Sequence, residues 1–375
     1  MRVEPDLDRL LDRLLGVGLA ALPALRTLVL IAHSRIEPRH FGDVVSPYEN
    51  FQKIRELSES RDDEARMAEL PRLVSSYYDA VTRFYEFGWG TSFHFSPRQP
   101  GESLHESHRR HEVGIGELLG LKPGMQVVDL GCGVAGPMMT IAKASGANIT
   151  GINISSYQIG RGQRLLSSAG LDDQCGFLLA DFMDIPIEDE ALDAIYSFEA
   201  LCHAPDNLLL FLELYRLLKP GGEIAIVDWC WTDRFDRNNA RHNELRERLE
   251  FINATLDLLT TSEKAAAAQA AGFEIIQAID QQAENGNRDT PWYMALQGRD
   301  LSFASWARTP KGRQLTAAVT RFLELVRLAP QGASEAAAVL NVAADTLVEA
   351  GELEIFTPSF LVHARKPVVG LEASY

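Results

Sequence analysis

Met125-Gln126-Val127-Val128-Asp129-Leu130-Gly131-Cys132-Gly133-Val134-Ala135-Gly136 is the stretch that decides the fold. A β-rich run, MQVVDL, follows the Lys122-Pro123-Gly124 turn and passes straight into G-x-G-x-x-G, after which MMTIAKASG carries a helical pattern. Glycines at a strand-to-helix bend permit positive φ and close backbone approach, and the helix behind them presents unpaired N–H groups to an anionic part of a ligand. The motif alone also serves dinucleotides. Asp129, two residues ahead of the first glycine, discriminates. A carboxylate there suits a ligand carrying an ammonium, such as the amino-acid end of S-adenosylmethionine, and repels a pyrophosphate.

Outward from that bend, short β-rich runs alternate with helical ones, the signature of βαβ units and a mostly parallel sheet. ANITGI, CGFLLAD, LDAIYSFE, GEIAIVDW, FEIIQAID and EIFTPSFLVHARK bring the strands to seven. SYQIGRGQRLLSSAG and NLLLFLELYRLLKPGG read as helices, the second stopped by Pro220-Gly221-Gly222. About 70 residues separate the last two strands, too many for a loop, and read as a partly helical cap over a site. About twenty residues past the glycines, where a ribose-binding acid is expected, stands Asn153, whose amide donates to and accepts from hydroxyls. Asp181 and Phe182 end the third strand, an acid for an adenine amino group beside an aromatic for its ring. In this order the features describe an α/β, class I, Rossmann-like methyltransferase with S-adenosyl-L-methionine as cofactor.

The composition excludes other classes. The 375-residue chain is 46% hydrophobic and 23% charged, ordinary for a folded protein, and its net charge of −16 gains nothing from phosphate counterion release, so no nucleic-acid partner is expected. Cys132, Cys175, Cys202 and Cys230 form no CxxC pair, which fits a reducing, cytoplasmic location and neither a disulfide frame nor a zinc site. His105, His108 and His111 recur at spacing three, but on a helix the first and third lie about 600° apart, so no metal site is assigned. The acidic start MRVEPDLDRLLDR lacks the cationic opening of a secretory signal. Residues 14–32, LLGVGLAALPALRTLVLIA, are interrupted by Pro23 and Arg26. They read as a peripheral segment on a membrane surface, as helices packed within the protein or a homo-oligomer, or as a true span.

Upstream of the glycine motif, residues 76–95, SYYDAVTRFYEFGWGTSFHF, hold eight aromatics in twenty residues, against 8% in the whole chain. They follow neither a helical nor a strand period, so a plain core face explains them poorly. The functional reading is the wall of a pocket for a large apolar ligand, with Glu86 and His94 as its polar exceptions; an aromatic minicore is the alternative.

This segment, with GESLHESHRRHE, DLGCGVAGP, YQIGRG, DQCGFLLADFMDIP, FEALCHAPD, DWCWTDRFD, TPWYMALQG and LVEAGELEIFTPSFLVHARKP, resembles the sterol 24-C-methyltransferases over residues 76–367. The resemblance implies methyl transfer to the side-chain double bond of a sterol or triterpenoid, without a metal, through a carbocation that wants aromatic faces and excluded water. The chain then divides into an N-terminal helical segment outside the resemblance (1–75), for which membrane association is one reading, a methyltransferase core with the aromatic substrate segment (76–300), and the family's C-terminal region (301–375). Tyr85, Glu86, His94, Glu199 and His203 carry over as catalytic, with His94 or His203 as proton acceptor. Tyr78, Asp129, Gly131, Gly133, Gly136, Asn153, Gln158, Asp181 and Phe182 would hold the cofactor, and Trp89, Phe93 and Phe95 the substrate. The chain departs from the family at Asn153-Ile154-Ser155-Ser156, at Ala135-Gly136, and at Ile252-Asn253-Ala254-Thr255-Leu256-Asp257, which lacks the usual glycines and prolines. Methylation of squalene or another isoprenoid, and sterol or lipid binding without turnover, remain the alternatives.

Overall fold

A computed structural model describes residues 71–368 except positions 73, 76–77, 80–81, 83–84, 87–88, 254, 256–257, 286–289, 300–308 and 327–332. The apolar stretch at 14–32 therefore lies outside the described residues, as does much of the aromatic segment's first half. The described residues from 71 to 89 are helical. Then follow α1 (Leu104–Leu118), β1 (Gln126–Leu130), α2 (Gly136–Ser145), β2 (Asn148–Asn153), α3 (Ser156–Ala169), β3 (Cys175–Leu179) and β4 (Leu192–Phe198). After a 3-10 turn at Leu201–His203 come α4 (Asn207–Leu217), β5 (Leu218–Trp231), α5 (Ala240–Asn253), α6 (Thr261–Ala270) and β6 (Glu274–Asp280). The last elements are α7 (Gln281–Asn285), α8 (Pro310–Leu325), α9 (Ala333–Glu352) and β7 (Phe356–Arg365).

The seven strands form one sheet in the order β3-β2-β1-β4-β5-β7-β6, parallel except for β7, which runs antiparallel to both neighbours. All seven expected strands are present. Val128 and Leu130 face one layer, with Leu210, Phe211 and Leu214 of α4, while Val127 faces the other, with Ile115 of α1 and Met138 and Ile141 of α2. Strands buried on both faces read as continuous apolar runs, which is why MQVVDL and GEIAIVDW lack clean alternation. Helix starts follow local chemistry: Ser103 and Thr260 close capping boxes with Glu106 and Glu263, and Asp206 accepts from Leu209 N–H. The stop at 218–222 differs from expectation. The turn is absorbed into β5 as an irregularity between Leu192 and Ala194 pairings, with Gly221 at φ 82° and tied to Lys366.

The strand order reverses between β1 and β4, where parallel sheets open a crevice at the strands' carboxyl ends. A second apolar cluster flanks it, where Trp231, Phe235, Leu245, Leu347 and Phe356 pack around Phe95 and Trp292. From the 281–355 insertion, Trp292, Tyr293 and the last turns of α9 pack here. They back the aromatic segment, with Trp292 5.0 Å from Phe95 ring to ring, and contribute no wall to the crevice.

Candidate active site

The crevice holds about 1360 Å³ of space, its solvent-open mouth included. One half gathers residues expected to hold the cofactor. Asp129, Gly131, Gly133, Asn153, Gln158, Asp181 and Phe182 all line it. Gly131 has φ 69°, and a Cβ there would sit 2.2 Å from that of Ala200, so only glycine lets the loop after β1 pass the loop after β4. Asp129 is buried, and burial pushes its carboxyl well above the usual range. The Tyr196 hydroxyl, opposite in the β1–β4 register, offsets part of that, yet neither Oδ2 nor the phenol completes a hydrogen bond of ordinary geometry. An unpartnered buried carboxylate oxygen on a cavity fits an incoming ammonium, so the residues present suit S-adenosylmethionine. Asp181, its carboxyl also raised by burial, and Phe182 lie just past β3 on the same cavity.

Gly136 plays a different part from that expected. It does not line the cavity; a Cβ there would meet the Thr91 carbonyl oxygen at 2.2 Å. The third glycine thus lets the aromatic segment's backbone lie against the start of α2, and Thr91 and Phe93 reach the cavity from there. Asn153 is likewise committed inward. Its Nδ2 donates to Gly133 O (3.1 Å) and Gln158 Oε1 (2.8 Å), while its Oδ1 accepts from Ser155 N–H. Gln158 Nε2 donates in turn to Thr82 Oγ1 at 2.8 Å. Both residues border the cavity, but their side chains brace the cofactor turn against the aromatic segment and leave no amide hydrogen of Asn153 for a ribose.

Glu199 follows β4 with φ 53°, a left-handed conformation that costs a non-glycine residue about 1 kcal/mol or more. Three contacts hold it: its N–H donates to Val227 O, Oε1 accepts from Phe95 N–H at 2.5 Å, and Oε2 accepts from Trp229 Nε1 at 2.7 Å. Burial pushes its carboxyl well up, against the pull of the Trp229 and Phe95 hydrogen bonds. A positive charge entering the cavity would draw it back to the carboxylate. Glu199 is thus a buried carboxyl on the cavity, fixed by two donors.

The aromatic segment divides. Tyr85 and Phe93, 5.5 Å apart, line the cavity together with Phe198. Trp89 and Phe95 do not. They pack on each other at 4.8 Å, behind the wall, because Phe95 is drawn into the Trp292 cluster and Trp89 stacks toward His108. Glu86 also stays off the cavity, accepting from Arg161 Nε on α3 at 2.9 Å. His94 borders the cavity with both ring nitrogens spent, Nδ1 facing Phe95 O (2.9 Å) and Nε2 facing Glu112 Oε1 (3.1 Å). Burial would raise the Glu112 carboxyl, but the His94 hydrogen bond and charge outweigh it and hold Glu112 at about 2. Both nitrogens of His94 are thus engaged by protein groups and not by the cavity. His203, by contrast, lines the cavity with Nε2 2.8 Å from the Tyr78 hydroxyl.

Three partners were not singled out from the sequence. Trp229 sits in DWCW and reads as core, Glu112 as one acid of a charged helix, and Lys264 as the start of an alanine-rich helix. Lys264 is buried and paired with buried Asp228, next to Trp229 on β5, a pairing that no local pattern announces. Among the described residues no group of His, Cys, Asp or Glu is placed to hold a metal ion.

The methyltransferase domain model matches residues 128–226, and the sterol methyltransferase C-terminal model matches residues 303–368. The chain is 44% identical to cycloartenol-C-24-methyltransferase 1 of Oryza sativa subsp. japonica, covering 82% of this chain and 88% of that one. It is 41% identical to cycloartenol-C-24-methyltransferase of Arabidopsis thaliana (87% and 96%) and 37% identical to a sterol 24-C-methyltransferase of Saccharomyces cerevisiae (81% and 81%). Among solved structures, a mycolic acid cyclopropane synthase complexed with S-adenosylhomocysteine aligns with a TM-score of 0.59 at 18% identity, over 78% of this chain and 97% of that one. Geranyl diphosphate C-methyltransferase of Streptomyces coelicolor aligns at 0.55 and 16%, over 79% and 98%. These two share the fold. Sheet order, glycine loop, buried acid and relatives agree: the chain belongs to the S-adenosylmethionine-dependent sterol 24-C-methyltransferases.

Proposed function

We propose that this enzyme methylates carbon 24 of a sterol side-chain alkene through a carbocation, with Asp129, the Gly131–Gly133 loop, Asp181 and Phe182 holding the cofactor. Bound there, S-adenosylmethionine supplies an electrophilic methyl, whose addition to carbon 24 leaves positive charge on carbon 25 of the sterol. The chain's own residues then have three tasks. Tyr85, Phe93 and Phe198 present ring faces to the cation, each contributing about 0.5–2 kcal/mol. Glu199 ionises against it from a fixed position, so no reorganisation is needed as the charge develops. The surrounding apolar wall keeps out the water that would trap the cation as an alcohol. Trp89, Phe95 and Glu86 act behind that wall, holding its shape.

The observation that carries this reading is Glu199, buried and doubly hydrogen-bonded on a cavity that joins the cofactor loops to aromatic rings. A sterol bearing an ammonium in place of carbon 25 resembles the intermediate and should bind the wild type at least about a hundredfold more tightly than the parent sterol. Glu199→Gln should erase that gain. Equal affinity of the two sterols for the wild type would contradict a cation-stabilising site.

A sterol is a bilayer lipid, and a chain of net charge −16 is repelled by anionic membranes, so the reading includes peripheral contact through the apolar residues 14–32. No described helix is long and apolar enough to cross a membrane.

A further inference from the structure

We propose that Tyr78 and His203 form the relay that removes the proton ending the reaction, with the Tyr78 oxygen as the group that meets the substrate. The proposal rests on the carbocation reading above and assigns Tyr78 a task other than the cofactor binding its family position implies. The Tyr78 hydroxyl lies 2.8 Å from His203 Nε2, their rings stand edge to face at 5.6 Å and 88°, and both residues border the cavity with Glu199. Thr82 Oγ1 donates to the Tyr78 carbonyl and itself accepts from Gln158, so the cofactor turn and the tyrosine are tied into one unit.

The other candidates are engaged elsewhere. His94 faces two acceptors, Glu86 is turned to Arg161, and both Glu199 oxygens accept from fixed donors. Burial pushes the Tyr78 phenol well above its ordinary range, so it works as a neutral shuttle and not as a standing phenolate. The step balances without a further reagent. A C–H bond next to the cationic carbon breaks, and its electron pair becomes the second bond of the alkene. The proton passes to the Tyr78 oxygen while the phenol O–H proton passes to Nε2 of His203. The phenol is regenerated and the imidazolium discharges to water when the product leaves.

The test uses the full-length wild type, Tyr78→Phe, His203→Gln and the double variant. Thermal melting and calorimetric affinity for S-adenosylmethionine are read alongside single-turnover methyl transfer and the product spectrum. With the relay, both single variants bind cofactor within about threefold of wild type and still transfer the methyl. Their normal alkene falls by about a hundredfold in favour of hydroxylated or isomeric products, a typical general-base contribution. The double variant is no worse than the poorer single, because the pair acts as a unit. Normal product ratios in Tyr78→Phe with weakened cofactor binding would overturn the proposal and leave the phenol a cofactor ligand. Effects that multiply in the double variant would overturn it as well. A wild type that makes no methylated sterol would instead overturn the proposed reaction itself.

Discussion

At the scale of single residues, Glu199 faces two donors that cannot turn away. Glu199→Gln puts an amide NH2 against one of them, which costs about 1–3 kcal/mol on top of the lost charge. Turnover should fall at least about a hundredfold while circular dichroism stays that of the wild type. Near-normal turnover would remove Glu199 from the chemistry. The aromatic segment predicts a split that can be read by product analysis. Phe93→Ala opens the cavity wall and should raise the hydroxylated fraction, whereas Trp89→Ala should lower the melting temperature with product ratios unchanged. The places of Phe93 and Asp129 on the cavity were legible in the sequence, because each stands beside the motif that brings it there. The places of Trp89 and Phe95 were not. Which aromatic faces the cavity is decided by Trp292, about two hundred positions away in the sequence.

At the scale of elements, the aromatic segment and α2 touch through Gly136. Gly136→Ala forces a methyl into the Thr91 carbonyl, so the segment must lift, at a cost of about 1–3 kcal/mol. The expected outcome is a lowered melting temperature together with weakened cofactor binding, measured on the same sample. An unchanged melting temperature would show that the contact is not made. All seven strands were readable because each is a short apolar run between turn residues. The order of the last two was not, since β7 reaches its place between β5 and β6 only by antiparallel pairing after a long insertion. The buried pair Lys264–Asp228 joins α6 to β5. Removing its cation in Lys264→Met leaves a buried, uncompensated carboxylate and should destabilise the protein by about 3–5 kcal/mol, read from denaturant melts.

For the molecule as a whole, two buried acids pull stability in opposite directions with pH. Glu112 is held at about 2 against 4.5 when unfolded, so its contribution of about 3 kcal/mol is present above 4.5 and is lost as pH falls toward 2. Glu199 is raised, so the free protein binds its proton more tightly folded than unfolded, and stability declines as pH rises above 4.5. Glu112→Gln should therefore flatten the acid limb of the stability curve, while Glu199→Gln should flatten the limb above 4.5. β7, within the C-terminal region, lies inside the sheet and faces both cores, so this strand folds as part of the sheet. The cavity itself was legible only in outline. The side with Asp129 follows from the glycine motif and the ends of β2 and β3, while the other side is assembled from described residues of the aromatic segment, the turn after β4, Trp229 and Thr255. The most direct test incubates the enzyme with methyl-labelled S-adenosylmethionine and, in separate reactions, cycloartenol, desmosterol and squalene. The account predicts label in a carbon-24-methylated sterol, lost in Glu199→Gln; tight sterol binding with no label in any product would contradict it.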